Sequence, residues 1–237
     1  WKTSVYLQKS ERGVPTPFFQ SNNSRQADAN AMVINKLKMY MKYNFLVEAV
    51  SQVWAEQIVF NNALSNEETD SRVLNVNTVL SASKYFGNRW IGRAGVSYDA
   101  ARYTSEALDG NVGWRRPRLF VNVKKTYRTT VFSLTQNTMW YKEKQAYNGE
   151  FQVSGDIAKK HHWSSSVQRI FRLPVLNELY WYMPGQALGN PNLKPEEGYK
   201  AEFSWTRYGK ALTLTLNPHA GIYENWVQWS GMIVTRP

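Results

Sequence analysis

The sequence predicts an all-β chain folded as an antiparallel transmembrane β-barrel. Apolar and polar residues alternate with a period of two along most of the 237 residues. The alternating segments are longer than soluble strands usually are, and the connections between them are short and long by turns.

The first segment, residues 1–9, sets Trp1, Thr3, Val5 and Leu7 against Lys2, Ser4, Tyr6 and Gln8. In 31–43, Val33, Leu37, Met39 and Met41 oppose Lys36, Lys38, Tyr40 and Lys42. Segment 46–60 alternates less cleanly, and Val47-Glu48-Ala49-Val50 also fits a helical turn; its length and its neighbours place it among the strands. Segments 73–86 and 89–104 meet at Gly87-Asn88. In 117–128, Leu119, Val121 and Val123 oppose Arg118, Asn122 and Lys124, and Arg128-Thr129 leads into 130–143. Segment 161–173 comes next. In 198–209, Ala201, Phe203 and Trp205 oppose Lys200, Glu202, Ser204 and Thr206. After Gly209-Lys210, segment 211–229 sets Leu212, Leu214 and Leu216 against Thr213, Thr215 and Asn217.

These make about ten strands by periodicity. Soluble strands have a mode of about 5–6 residues, whereas a tilted membrane strand needs about 9–11. Residues 10–30, 61–72, 105–116, 144–160 and 174–197 are expected to be long polar loops gathered at one end of the strands. The tight turns belong at the other end. Val121, Val123, Phe203, Trp205, Leu212 and Leu214 are expected to face lipid, and Asn122, Lys124, Glu202 and Ser204 the interior.

Composition narrows the partners. Ten Trp and fourteen Tyr accompany a mean hydropathy of −0.52, a combination that suits wet surfaces with an interfacial aromatic belt. The net charge is +11, but the Lys and Arg are spread over strands and loops rather than gathered in a run. That spread argues against nucleic acid; anionic ligands or lipopolysaccharide phosphates are the alternative, between which charge alone does not choose. There is no cysteine, which removes disulfides, thiolate metal sites and Cys nucleophiles. No apolar run approaches the roughly 18 residues of a membrane helix. The start at Trp1, without an initiator Met or an apolar leader core, reads as an excerpt from a longer chain.

The stretch Gly189-Asn190-Pro191-Asn192-Leu193-Lys194-Pro195-Glu196 is a structured turn by its own chemistry. Asn190 readily makes an Asx turn, Pro191 fixes φ, and Pro195 forces Lys194 into extended backbone. Before it stands Phe171-Arg172-Leu173-Pro174-Val175-Leu176-Asn177-Glu178-Leu179-Tyr180, and after it an alternating strand. This order resembles the TonB-dependent outer-membrane receptors, with their Arg-x-Pro…Asn-Glu-Leu-Tyr run and their Asn-Pro-x-Leu-Lys-Pro-Glu entry into a strand. The turn Ser10-Glu11-Arg12-Gly13-Val14-Pro15 and the stretch Ile222-Tyr223-Glu224-Asn225-Trp226-Val227 are similar to elements of the siderophore and cobalamin members.

The resemblance implies that the chain is about ten strands of an incomplete, roughly 22-stranded barrel. It implies that residues 1–237 are the middle of that barrel, without its plug domain, its TonB box and its terminal strands. It also makes the asparagine-proline turn the end of an external loop, with Glu196 starting the wall.

No catalytic, cofactor or metal set is assigned. His161, His162 and His219 have no third ligand at metal spacing, and no Ser/His/acid or paired-acid constellation stands out. Asp99 and Glu202 fall on interior-facing positions, where Arg or Lys partners are expected. The candidate substrate-binding residues are Lys36, Lys38 and Lys42 on one interior face, inward-facing Arg172, and Trp181 and Tyr182 in the last long loop. Positive charge in a narrow aqueous vestibule attracts anions, and aromatic loop residues give rigid contact area.

The function expected on this basis is uptake of a scarce large solute across the outer membrane of a Gram-negative bacterium, with no bond chemistry. The solute is first a metal chelate, a ferric siderophore or a cobalamin, and then an oligosaccharide. Lipid, lipopolysaccharide and the TonB complex are the expected partners. An outer-membrane barrel enzyme and a soluble aromatic-rich glycan-binding β-protein remain as alternatives.

Overall fold

Strand follows strand because each short connection supplies the backbone a reversal needs. The computed structural model describes residues 1–13, 24–62, 67–105, 111–141, 144–158, 160–180, 182–183, 187–230 and 233–235. Nine strands run in chain order: β1 (Lys2–Gly13), β2 (Arg25–Met41), β3 (Phe45–Asn62), β4 (Glu67–Gly87), β5 (Trp90–Ser105), β6 (Asn111–Tyr127), β7 (Thr130–Tyr141), β8 (Lys144–Ile157) and β9 (His161–Arg172). A short helix α1 (Leu176–Tyr180) and two brief strands, β10 (Tyr182–Met183) and β11 (Ala187–Leu188), follow. The wall resumes with β12 (Glu196–Tyr208), β13 (Thr213–Leu216) and β14 (His219–Glu224), and the chain continues into β15 (Gln228–Ser230) and β16 (Ile233–Thr235).

Twelve of these strands form one antiparallel sheet in the order β1 to β9, then β12, then β13, with β14 also on β12. The fold class is all-β, as the alternation predicts. β13 and β14 lie in line on the same edge of β12, because Trp205 pairs with Leu216 and Glu202 with His219 in one register. Pro218 interrupts them; it has no N–H to give, but its carbonyl accepts the Phe203 N–H at 3.0 Å. The remaining strands β10, β11, β16 and β15 make a separate small sheet.

The turns at one end carry their strain visibly. Asn88 and Arg89 both have φ near +50°, as a two-residue hairpin between twisted strands requires. Tyr43 and Asn44 are left-handed in the 42–44 turn, and Arg128 in the 128–129 turn.

Two sequence expectations need correction. Residues 144–160 are not a long loop: 144–157 form β8, paired with both β7 and β9, and the connection to β9 is a short turn at the opposite end. The strand was concealed because Gly149 and Gly155 interrupt its apolar line of Tyr147, Phe151 and Val153. Segment 211–229 is likewise not one strand, since the wall ends at Glu224 and Gln228 enters the small sheet. Elsewhere the strands invade the expected loops; the connections left at 14–23, 63–66, 106–110 and 142–143 lie outside the described residues.

The register assigns every side chain to a face. Leu119, Val121 and Val123 of β6 share one face with Val96 and Ala94 of β5, and with Leu80 and Ala82 of β4. That face is the more exposed one, while Arg116, Phe120 and Asn122 on the other are more covered. In a single-layer sheet this difference means curvature: side chains converge on the concave, inner face. Phe203, Trp205 and Leu214 lie on the outer, apolar side, and Glu202 and Ser204 on the inner, polar side, while Leu212 precedes β13 in the turn, outside the paired register. The apolar face is therefore turned out to the surroundings, the reverse of a soluble core.

Candidate solute-facing surface

The inner face is built from polar side chains bonded across strands. Asn122 donates to Thr135 Oγ1 at 2.7 Å and to Ser133 Oγ at 3.2 Å. Further along, Gln168 donates to Glu202 at 3.3 Å, and Ser204 donates to Asn217 at 2.7 Å. Such a ladder keeps polar groups satisfied without packing them under a second layer.

Toward the short-turn end, Glu48 of β3 lies between two cations. Lys38 Nζ is 2.9 Å from one carboxylate oxygen, and Arg93 Nη2 is 3.7 Å from the other. Arg93 also donates to Ser81 Oγ at 3.0 Å. Lys36 is on the same face of β2, opposite Lys2 of β1. No ion pair is found for Lys36 or Lys2 among the described residues. Lys38 is thus in a close ion pair while Lys36 is not, and the one carboxylate of Glu48 leaves this corner net positive.

At the long-loop end a second construction closes over the inner face. Arg172, the last residue of β9, bonds Glu196 at 2.5 Å and both carboxylate oxygens of Glu178 at 3.0 Å. Glu178 in turn accepts the Val175 N–H at 2.9 Å, which caps α1, and Glu196 accepts the Val227 N–H at 2.6 Å. Leu176 of α1 is buried on Ala101 and Tyr103 of β5. The Tyr103 ring is fully buried, and its hydroxyl donates to Ser71 Oγ at 3.1 Å. Arg116 of β6 is 7% exposed: its guanidinium stacks 3.5 Å from the Trp114 ring and donates to the Pro174 carbonyl at 3.0 Å.

The asparagine-proline turn completes this region. Asn190 Oδ1 accepts the Asn192 N–H at 2.9 Å, the expected Asx turn, and the Asn190 N–H donates to the Glu178 carbonyl at 2.8 Å. Leu193 is buried with Leu179 and Val227. The two halves of the motif, 171–180 and 189–196, are one folded unit centred on Arg172. Glu196 begins β12, as the resemblance of the motif implies.

The structure does not bring the candidate residues together. Lys36 and Lys38 stand on the inner face of β2 near its short turn, and Lys42 lies in the turn itself, out of the strand register. Arg172 is at the opposite end. Trp181 lies outside the described residues, and Tyr182 contributes backbone to β10, its side chain being outside the description. Asp99 is on the inner face and accepts from the Trp114 indole N–H at 3.2 Å. His162 bonds Asp156 at 2.9 Å. Sequence reasoning missed Arg93 and Arg116, which fell in ordinary alternating positions, and Glu178, whose only signal was its place in the Asn-Glu-Leu-Tyr run.

No protein-family model matches the chain, and no curated protein matches it in sequence. Its fold, however, is that of a wall segment of a large antiparallel β-barrel. It is similar to the siderophore receptor PirA from Pseudomonas aeruginosa, with a TM-score of 0.69 at 12% identity, covering 91% of this chain and 42% of that one. The iron transporter FrpB from Neisseria meningitidis gives a TM-score of 0.70 at 10% identity, over 95% of this chain and 42% of that one. The alcaligin outer-membrane receptor FauA from Bordetella pertussis gives 0.64 at 12% identity, over 95% and 41%. The chain spans about two fifths of the length of these receptors.

Proposed function

We propose that this chain is part of the barrel wall of a TonB-dependent transporter in the outer membrane of a Gram-negative bacterium. Its role there is uptake of a scarce metal chelate, a ferric siderophore or a cobalamin. The observation that carries this reading is the two-faced single-layer sheet. Strands long enough to cross a bilayer turn apolar side chains outward and a bonded polar lining inward. The likeness to solved siderophore and iron receptors at low identity supports the fold, and the Arg172–Glu178–Glu196 unit supports the motif resemblance.

In this reading residues 1–237 belong to the middle of the barrel, with the plug domain and the TonB-coupling segment in other parts of the protein. Catalysis has no part in it. An anionic solute such as a ferric siderophore is favoured over neutral cobalamin: Lys36 and Lys2, which make no ion pair among the described residues, line the inner face, and a basic lining bounded by low-dielectric walls raises the local concentration of anions. Lys38 and Lys42 near the short-turn end, and Arg172, Trp181 and Tyr182 at the long-loop end, are kept as separate candidate solute contacts.

The test is growth of iron-starved cells lacking and regaining the gene, each supplied with a panel of ferric siderophores and with cobalamin. Restored uptake of one anionic chelate supports the reading. Restored uptake of a neutral sugar alone, or an unchanged phenotype for every chelate, overturns it.

A further inference from the structure

Two arginines on the inner face of β6 are short of acceptors. Arg116 and Arg118 are alternate residues of the strand, on the face of Trp114, Phe120 and Asn122. The Nε of each is buried, and neither finds a hydrogen-bond acceptor among the described residues. Arg116 is 7% exposed, and no ion pair is found for either guanidinium among the described residues. Buried polar groups are normally paired, and a buried cation without a counterion is costly. Two such donors on neighbouring cations point to an anionic ligand.

The acids nearby do not meet this need. Asp99 of β5 is opposite Arg116, but its carboxylate accepts the Trp114 indole N–H at 3.2 Å. Among the described residues it is the one acid on the inner face of β5, β6 and β7. Arg118 lies between Ser97 and Met139 on the flanking strands, and neither carries charge. Glu150 of β8 is level with Thr135, well below Met139. Glu48 is held by Lys38 and Arg93, and Glu178, in the loop above, by Arg172.

The surroundings fix Arg116 and leave Arg118 adaptable. The Arg116 guanidinium carbon is 3.5 Å from the centre of the Trp114 ring and 5.2 Å from that of Tyr141. Its Nη2 donates to the Pro174 carbonyl at 3.0 Å. No ring contact or hydrogen bond restrains Arg118 among the described residues. The height of the pair on the wall also matters. Arg118 is nine residues above Tyr127 at the short turn, about 30 Å of strand or about 23 Å of height at a tilt of roughly 40°. That is past the middle of a hydrocarbon layer about 30 Å thick, on the side of the long connections. A solute entering from that side meets this pair before it meets Lys36 and Lys38 near the short turns.

We propose that Arg116 and Arg118 bind a carboxylate of the solute, so that the imported chelate is one that carries carboxylates. Alternate strand residues are about 7 Å apart, a gap that one carboxylate bridges with a charge-assisted bond of about 2.8 Å to each side. The planar fork of Arg118 turns onto the group, and Arg116 Nε completes the pair. A phosphate monoester would use both forks whole, and Arg116 already gives Nη2 to Pro174. A catecholate would need a ring to stack on, and the two rings beside the pair are occupied by Arg116 itself. A neutral hydroxamate complex brings no counter-charge. The proposal rests on the reading of the chain as part of a chelate transporter and names the group that the wall recognises.

The experiment is fluorine NMR of the full protein carrying this chain, labelled with 5-fluorotryptophan and refolded in phosphatidylcholine bicelles. Trp114→Phe assigns the Trp114 resonance, the reporter beside Arg116. Gallium(III) replaces iron(III), which would broaden the signals, and the citrate, a tris-catecholate and a neutral tris-hydroxamate complex are titrated in turn. The citrate complex alone is expected to shift the Trp114 resonance saturably. Arg118→Gln is expected to bind it at least tenfold more weakly, with the other tryptophan resonances in place as evidence of folding. Arg118→Lys should recover only part of the affinity, because an ammonium lacks the fork, and Lys124→Gln on the same face should bind as wild type does. Equal binding by wild type and Arg118→Gln, or an equal shift with the catecholate or hydroxamate, would overturn the proposal. So would a wild-type resonance indifferent to citrate that moves on Arg118→Gln alone, which would give the pair to a carboxylate elsewhere in the protein. Equilibrium dialysis separates the two readings: binding of a chelate other than citrate sinks this proposal and keeps the transporter, whereas folded wild-type protein that binds none of the three sinks both.

Discussion

Arg172 and Glu196 face each other across the first rung between β9 and β12, joined at 2.5 Å, with the whole 173–195 connection looping between them. The same guanidinium holds Glu178 of α1 inside that loop. One cation therefore ties the loop's exit, its helix and its re-entry into the wall.

Removing that cation releases the loop. Arg172→Ala leaves Glu178 and Glu196 as neighbouring carboxylates, each largely buried, without a counterion. The expected loss is about 1–2 kcal/mol, less than for a fully buried pair because the Arg172 side chain is 38% exposed. Urea unfolding in lipid measures the loss, and protease cleavage within 173–195 should accelerate. Cleavage unchanged from wild type would show that the loop is held by its apolar contacts alone.

The depth of a residue on the outer face should set its tolerance to charge. Val96 and Leu119 are paired near the middle of β5 and β6, and Leu214 pairs with Arg207 beside the 209–212 turn. Leu119→Arg is expected to cost about 2–4 kcal/mol, and Leu214→Arg about 0–1 kcal/mol. Folding yield in bilayers of the two variants compares them directly. A greater cost at Leu214 would place the membrane midplane elsewhere on the strands.

Leu176 is the apolar anchor of α1 on Ala101 and Tyr103. Leu176→Ala should destabilise the loop by about 2–3 kcal/mol, mostly locally, because the cavity opens beneath a surface helix rather than within the wall. Hydrogen exchange at the Leu179 amide, which bonds the Val175 carbonyl, reports it. Uniform acceleration across β4, β5 and β6 would mean that α1 supports the wall itself.

The lysines of β2 should divide in their effect on uptake. Lys36 makes no close ion pair among the described residues and only adds to the field on Glu48, whereas Lys38 is paired with Glu48 directly. Lys36→Gln is expected to lower uptake of an anionic chelate several-fold at low salt and little at high salt. Lys38→Gln should have the smaller effect on uptake and the larger one on stability. Uptake and salt dependence unaltered with Lys36, Lys38 and Lys42 all changed to Gln would assign them to structure alone.

Alternation by itself determined that this chain is all-β, where most strands run, and that Val121, Phe203 and Leu214 share a side opposite Asn122, Glu202 and Ser204. It could do so because the period-2 geometry of a strand is local, written in neighbouring residues. The Asx turn at Asn190 was legible for the same reason, since Pro and Asn act on the backbone beside them, whereas the start of the wall at Glu196 came from the resemblance of the motif. Tertiary structure decided what depends on pairing. β8 exists because β7 and β9 offer it hydrogen bonds on both sides, although its glycines dilute the apolar signal. Arg116, expected in a loop, stands opposite Asp99 and bonds Pro174 only through the pairing of β5 with β6 and the fold of the 173–195 connection. Arg172 meets Glu178 and Glu196 only because β9 and β12 are neighbours across the long connection. Charges become sites when strands align, and that alignment is a property of the whole sheet.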